Sequence, residues 1–265
     1  MMERVDEPTF PTPRHAALVS ALRDLFGAED DVSAILLGGS LARGRGGPAS
    51  DVDLLLLVPA DRLAAFATRP RDYAALGATG VEAEPDGVAL DFGGLPAHIW
   101  MTDGKLAPRA SGSVLDDPFE LEVAALYVNA RPLLDRDGLR GRLGARYLPF
   151  YDEGLRRQRL RRLAGEFASH CAALEDQAAR GLGFAAIDRL HTAFRAFVLG
   201  LFLANRRYPL DLMKHLEEQV GDSLRRADLL PAMRGVLALR ALHPAALTER
   251  AHRLRRLWRD EVGPA

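Results

Sequence analysis

Cysteine is nearly absent: Cys171 is the single one among 265 residues. No internal disulfide can form, which fits a reducing compartment, and the cytoplasm is the expected address. Cys171 falls in a helical pattern and reads as a small buried filler. Long apolar runs are missing as well. None approaches the roughly 20 residues of a membrane span, so no membrane association is expected. The opening residues Met1-Met2-Glu3-Arg4-Val5-Asp6 are polar and acidic, unlike a secretory leader. An excess of either charge is missing too, with 35 Lys+Arg against 36 Asp+Glu and a net charge of −1. A broad nucleic-acid surface needs a basic excess, so small-molecule chemistry is expected instead. Repeats and low-complexity tracts are absent, and lysine is scarce against arginine, which makes Lys214 stand out.

What is present concentrates between residues 35 and 58. Ile35-Leu36-Leu37 is too short for a helix and right for a buried strand. Gly38-Gly39-Ser40-Leu41-Ala42-Arg43-Gly44 follows, then a Gly/Pro-rich loop, then Ser50-Asp51-Val52-Asp53-Leu54. Gly38 and Gly39 let the backbone turn sharply and approach a ligand closely. Ser40 offers a hydroxyl and a helix cap, and the amides after it suit phosphate. Asp51 and Asp53 lie two apart on a strand, so both point to one face, expected to be open to solvent. Two neighbouring carboxylates stay ionised with a cation between them. Mg²⁺ suits, because it takes one or two carboxylates plus substrate phosphates. A triphosphate gripped by the turn and Mg²⁺ held by the aspartates describe nucleotidyl transfer.

The rest of the chain reads as α+β, in two domains covering residues 1–138 and 139–265. A proline-rich arm over 1–12 precedes a helix from Arg14 to Phe26 ended by Gly27. Val32–Leu37 and Asp53–Val58 are strands, and Ala60–Thr68 reads as a helix. Val88-Ala89-Leu90-Asp91-Phe92, Gly93-Gly94 and Leu95 to Met101 form a hairpin with a two-residue glycine turn. That turn pairs Asp91 with Pro96 and Ala89 with His98. Asp91, His98 and Trp100 then share one face, while Leu90, Phe92, Leu95, Ala97 and Ile99 share the other. Asp117–Asn129 is a further helix. Beyond Leu139 the pattern is helical only. Gly154–Arg180 carries its apolar stripe at Leu160, Leu163, Phe167, Cys171 and Leu174. Phe184–Ala204 is strongly apolar, and Leu210–Val220, Leu224–Leu239 and Ala245–Val262 complete a bundle.

The ordered string of glycine pair, Ser40, Arg43, Ser50-Asp51-Val52-Asp53 and the apolar tail to Val58 resembles the polymerase-β-type nucleotidyltransferase superfamily. A mixed-sheet domain followed by a helical bundle is similar to the aminoglycoside nucleotidyltransferases of the kanamycin type. Phe202-Leu203-Ala204-Asn205-Arg206-Arg207-Tyr208 and Pro132-Leu133-Leu134-Asp135-Arg136-Asp137-Gly138 resemble segments of those enzymes. The resemblance implies that Asp51 and Asp53 are catalytic metal ligands. It implies that Gly39, Ser40 and Arg43 hold the triphosphate of ATP or another NTP. It also implies a third carboxylate on the strand Pro96 to Asp103, where that position falls on Ala97 or His98. Asp91 is then the candidate to replace it from across the turn.

Glu166-Phe167-Ala168-Ser169-His170 resembles the Glu-x-x-x-Lys element of the kanamycin-type helix, with Glu166 as general base on the acceptor hydroxyl and His170 in the phosphate-binding position. The bland alternative is an ordinary i,i+4 surface pair. Lys214, on a fresh helix after Tyr208-Pro209, is by the same resemblance a nucleotide-phosphate ligand. The expected reaction moves a nucleoside monophosphate, AMP for ATP, onto an aminoglycoside-like or other hydroxylated small molecule, with the acceptor between the domains and the protein a monomer or homodimer. The alternatives are protein adenylylation of the antitoxin type and nucleotide binding without transfer.

Overall fold

The computed structural model describes residues 9–63 and 70–263. Most of the expected proline-rich arm, and residues 64–68 of the expected Ala60–Thr68 helix, lie outside them; Ala60–Arg62 is a 3₁₀ turn. The chain divides into two compact units. One runs up to Leu106 and takes in Val123–Leu148; the other comprises Ala107–Glu122 and Pro149–Ala265. No helix among the described residues is long and apolar enough to cross a membrane.

The first unit is a six-stranded mixed sheet in the order β3-β4-β5-β2-β1-β6. Its strands are β1 (Ala34–Leu37), β2 (Val52–Leu57), β3 (Gly80–Glu84), β4 (Gly87–Asp91), β5 (Pro96–Thr102) and β6 (Arg131–Asp135). β2 and β5 run parallel, and every other pair is antiparallel. β1 and β2 are buried along their whole length, which their leucine-rich sequences allow at the centre of a sheet. Period-two alternation sends Val52, Leu54 and Leu56 into one core together with Ile35, Leu37, Val88, Leu90, Ala97 and Ile99. The helix Pro13–Gly27 adds Leu18, Val19, Leu22 and Phe26 to that core. Its start is fixed by Thr12 as the cap and Pro13 in the first turn.

The hairpin forms in the expected register, Asp91 opposite Pro96 and Ala89 opposite His98. Gly93 and Gly94 both take positive φ, 63° and 82°, as a type I′ turn demands. Two strands were not apparent in the sequence, and both are edges. β3 carries Glu82 and Glu84 and is mostly exposed, so it lacks the apolar alternation that marks a strand. β6 contains Pro132, which only an edge or a bulge tolerates; the β1–β6 register shifts between Ile35 and Leu36. The expected Asp117–Asn129 helix is shorter, a helix over Phe119–Val123 followed by a π-helical turn over Ala124–Asn129.

The second unit packs the helices Glu153–Ala179, Gly183–Ala204 and Pro244–Glu261 around a shared core. Phe167 stacks on Trp258 at 4.3 Å between ring centroids. Gly200 admits that indole, since a Cβ there would sit 2.8 Å from Trp258 Cζ3. Cys171 is buried in this core, and burial pushes its thiol up to about 12. The stripe on Glu153–Ala179 is as expected from Leu163 onward. Before it, Arg159 takes the buried position and Leu160 is only half-buried. The reason is polar: Arg159 binds Asp117 through Nη1 at 2.8 Å and Glu120 through Nε and Nη2, and the Tyr151 hydroxyl donates to Glu120 at 2.9 Å. Burial pushes the Glu120 carboxyl above the usual carboxylate range, against the pull of Arg159.

The segment expected as a helix over Leu210–Val220 is helical only over Leu216–Glu218, continuing as a π turn over Gln219–Ser223. Lys214 therefore sits in a turn, not on a helix. Asp211 Oδ1 accepts from the amides of Met213 and Lys214, and the buried Gln219 side chain bonds Leu210 N and Asp211 O. These local bonds outcompete helix formation. Leu224–Leu239 is likewise reduced to a 3₁₀ turn over Ala227–Leu229 and a helix over Leu230–Leu237.

Candidate functional site

β1 ends at Leu37, and the chain turns through Gly38 into the single helical turn Gly39–Ala42. Gly39 has φ +57, and a Cβ on it would fall 1.7 Å from Asp53 Oδ2. A Cβ on Gly38 would fall 2.7 Å from Leu55 Cδ1, and Gly38 N donates to Asp53 O at 2.8 Å. The glycine pair thus presses the turn directly onto the Asp53 side chain. Asp53 is buried, with 9% exposure, rather than open to solvent as expected, because this turn lies over it; Asp51, just ahead of β2, is half-buried. The Ser40 hydroxyl is buried without a hydrogen-bond partner among the described residues. A buried hydroxyl left so is costly and points to a missing acceptor. Arg43 folds back, its Nη1 donating to Gly39 O at 3.0 Å, and so braces the turn.

His15 completes this frame, and nothing in the sequence singled it out. It is buried, its Nε2 bonds Ser50 O at 2.9 Å, and its Nδ1 meets the Thr12 hydroxyl at 2.7 Å. With Nε2 donating to the carbonyl, Nδ1 accepts from Thr12. His15 therefore fixes the residue before Asp51. Ser50 Oγ also accepts from Gly47 N at 2.9 Å, closing the loop that leads into β2.

The register of β2 against β5 decides what stands beside the aspartates. Asp53 pairs with His98, while Ala97 pairs with Val52 and faces the core. Of the two positions open for the third acid, the neighbour of Asp53 is thus His98. Its Nδ1 lies 3.8 Å from Glu84 Oε1 on β3, and its ring stacks on Trp100 at 5.7 Å. Asp91 is on the same face but has another occupation. It accepts from the Thr79 hydroxyl at 2.6 Å and from Gly94 N at 3.0 Å, and these bonds hold its carboxyl below the usual range. β5 intervenes between it and β2, a separation of about 10 Å at two strand spacings. Among the described residues no three His, Cys, Asp or Glu side chains stand close enough to hold a metal alone. Asp51 and Asp53 with the unpartnered Ser40 hydroxyl fit an ion that completes its shell from phosphate and water, which is the habit of Mg²⁺.

In the helical unit Glu166 is not a simple surface partner of His170. Its Oε1 accepts from Val114 N at 2.7 Å, and its Oε2 accepts from the Ser113 hydroxyl at 2.7 Å and Leu115 N at 3.2 Å. The carboxylate anchors the segment 113–115. Glu166 and His170 do come together in one cavity of about 500 Å³, which Asp116 and Arg189 also line. Neither of the last two was visible as a site residue in the sequence. Lys214 is exposed and lies in its own turn, outside that cavity.

Residues 16–93 match the family model of the nucleotidyltransferase domain. That span holds the glycine turn, Ser40, Arg43, both aspartates and the first half of the hairpin. The chain is also similar to the crystal structure of a nucleotidyltransferase-like protein from Exiguobacterium sibiricum 255-15, at 14% identity and a TM-score of 0.49, over 93% of this chain and 75% of that one. No curated protein matches the chain. The fold is α+β, and residues 16–93 match a nucleotidyltransferase domain, which indicates nucleotidyl transfer on a nucleotide substrate.

Proposed function

We propose that this protein moves a nucleoside monophosphate, AMP when ATP is the donor, onto a hydroxyl of a small molecule, with release of pyrophosphate. The observation that carries the reading is the turn at Gly38–Ser40, packed onto Asp53 so tightly that only glycine fits, with a buried hydroxyl awaiting an acceptor. Asp51 and Asp53 would hold Mg²⁺. When bound, that ion neutralises charge on the α-phosphate and the departing pyrophosphate. Ser40 donates its hydroxyl to a phosphate oxygen. Gly39 lets the turn approach that phosphate, and Arg43 keeps the turn in place through the Gly39 carbonyl. His15 holds Ser50, and through it the start of β2. Asp91 and Glu166 are occupied by hydrogen bonds, so neither is assigned the proton of the acceptor hydroxyl.

The test is incubation with α-labelled ATP, Mg²⁺ and a panel of hydroxylated acceptors, following pyrophosphate release and the mass of each acceptor. Replacing Asp51 and Asp53 together by asparagine is expected to lower transfer by about a thousandfold or more, the scale of lost electrostatic stabilisation. An unchanged rate in that variant would sink the proposal. One observation favours a second reading, nucleotide binding without transfer: His98, not a carboxylate, stands beside Asp53. Calorimetric binding of Mg·ATP with no pyrophosphate from any acceptor would decide for it.

A further inference from the structure

We infer that the cavity of the helical unit binds a neutral, hydroxyl-rich molecule such as a sugar or cyclitol, with Asp116 and Arg189 as its direct contacts and Glu166 as a positioning residue. This deepens the proposed function by naming the acceptor's class, and it rests on that reading only in calling the ligand an acceptor.

The cavity measures about 500 Å³. That is within the roughly 300–1,000 Å³ of small-molecule sites. Ser113, Ser169 and Thr192 stand beside the ionisable groups, and apolar surface makes up the larger share of the lining. Glu166 already takes three hydrogen bonds from the segment 113–115. Its effect is to fix the backbone that presents the next residue, Asp116. Asp116 and Arg189 each line the cavity, yet neither makes a hydrogen bond or ion pair among the described residues. The same is true of His170.

Mixed unpartnered charge of this kind selects by sign. A carboxylate only accepts and a guanidinium only donates, whereas a hydroxyl does both. A run of hydroxyls satisfies Asp116 and Arg189 together. A polyamine gains at Asp116 and at Glu166, whose charge its three donors already share, but must sit against the Arg189 guanidinium. A phosphate or carboxylate ligand meets the reverse problem at Asp116 and Glu166. The arrangement therefore suits a neutral polyol better than an anionic ligand or the aminoglycoside-like acceptor that the resemblance implied.

Saturation-transfer NMR on the full chain, without nucleotide or metal, tests this with five probes: myo-inositol, glucose, trehalose, gluconate and kanamycin. Signal is expected from neutral members of the panel. It should fall at least fivefold in Asp116→Asn, Arg189→Ala and Gly165→Phe. A Cβ on Gly165 meets nothing within 4 Å, so the phenylalanine fills the cavity without displacing core, and its melting temperature should not fall. Asp116→Asn, at an exposed residue, gives a second variant whose folding is secure. The inference is overturned if no neutral probe binds, or if neutral binding survives Gly165→Phe. It is also overturned if kanamycin or gluconate binds the cavity more tightly than every neutral probe, or if Mg·ATP competes for it. Probe binding is read without nucleotide and so is separate from transfer; Mg·ATP is added only in the competition arm. Sugar binding without pyrophosphate release would defeat the transferase reading alone.

Discussion

The two units surround their buried acids differently. In the helical unit the buried and half-buried acids arrive with their donors. Glu166 takes three hydrogen bonds from the segment 113–115, and Asp117 and Glu120 share the guanidinium of Arg159. In the sheet unit a turn is pressed onto Asp53 by two glycines, and the serine at its centre has a buried hydroxyl with no partner. Both regions look equally polar in the sequence. What separates structure from function is whether the polar groups are satisfied from within. Satisfied acids are braces. A polar group left wanting, in a turn that no larger residue could form, marks a place for a ligand.

The strongest way to break this comparison is Arg159→Ala. If the helical unit's acids are braces, removing their shared cation leaves two buried carboxylates with neutral donors only, Tyr151 for Glu120 and the Arg109 and Phe119 amides for Asp117, at a cost of about 3–5 kcal/mol. Urea unfolding should show this as a large drop in midpoint. A loss below about 1 kcal/mol would mean that Asp117 and Glu120 protonate or hydrate at little cost, and the contrast would fail.

Glu166→Gln sharpens the same point at smaller scale. A carboxamide places a donor where Val114 N, Leu115 N and the Ser113 hydroxyl all need an acceptor. The expected loss is about 1–3 kcal/mol of stability, read by thermal melting, with Mg·ATP affinity unchanged. A melting temperature equal to that of the parent, combined with a large loss of transfer, would instead make Glu166 the general base that its helix position suggested.

The parts that were legible in the sequence are local ones. The glycine–serine turn and Asp51-Val52-Asp53 are contiguous, and period two fixes which strand residues share a face. The glycine pair Gly93-Gly94 fixes a hairpin register by turn geometry alone. The long helices announce themselves by spacing. What escaped was non-local. The parallel pairing of β2 with β5 sets His98 beside Asp53, and no local signal carries that register. Arg159 finds its acids 39 and 42 residues away, and Glu166 its donors 51 to 53 residues away. A buried arginine in an arginine-rich helix reads like any solvated one until those partners are placed. The edge strands β3 and β6 escaped because edges carry charge and proline by design against aggregation.

On the sheet side, Ser40→Ala asks whether the unpartnered hydroxyl awaits a ligand. In the nucleotide-free protein the change removes an unsatisfied polar atom, so the melting temperature should hold or rise slightly. With nucleotide, the lost hydrogen bond should raise the KM for ATP by about tenfold, corresponding to roughly 1.4 kcal/mol. A drop in stability with no change in KM would make Ser40 one more brace and erase the difference between the units.

Asp91 is the sheet unit's own brace, and its effect should be the smallest and the most dependent on pH. Its carboxyl is held below its ordinary value, first by the Thr79 hydroxyl and then by the Gly94 amide. A carboxyl that titrates lower in the fold than in the unfolded chain stabilises the fold above its unfolded value, near 3.9, and loses that contribution as pH falls through the folded value. Asp91→Asn keeps the shape and removes the charge. The parent should therefore melt above the variant at neutral pH, and the gap should close as the solution is acidified through the lowered folded value. Transfer should change by less than about twofold, since Asp91 lies two strands from β2. A gap that persists in acid would show that the turn needs the shape and not the charge. A hundredfold loss of turnover would move Asp91 from the braces to the chemistry, and with it the boundary between the two kinds of acid in this molecule.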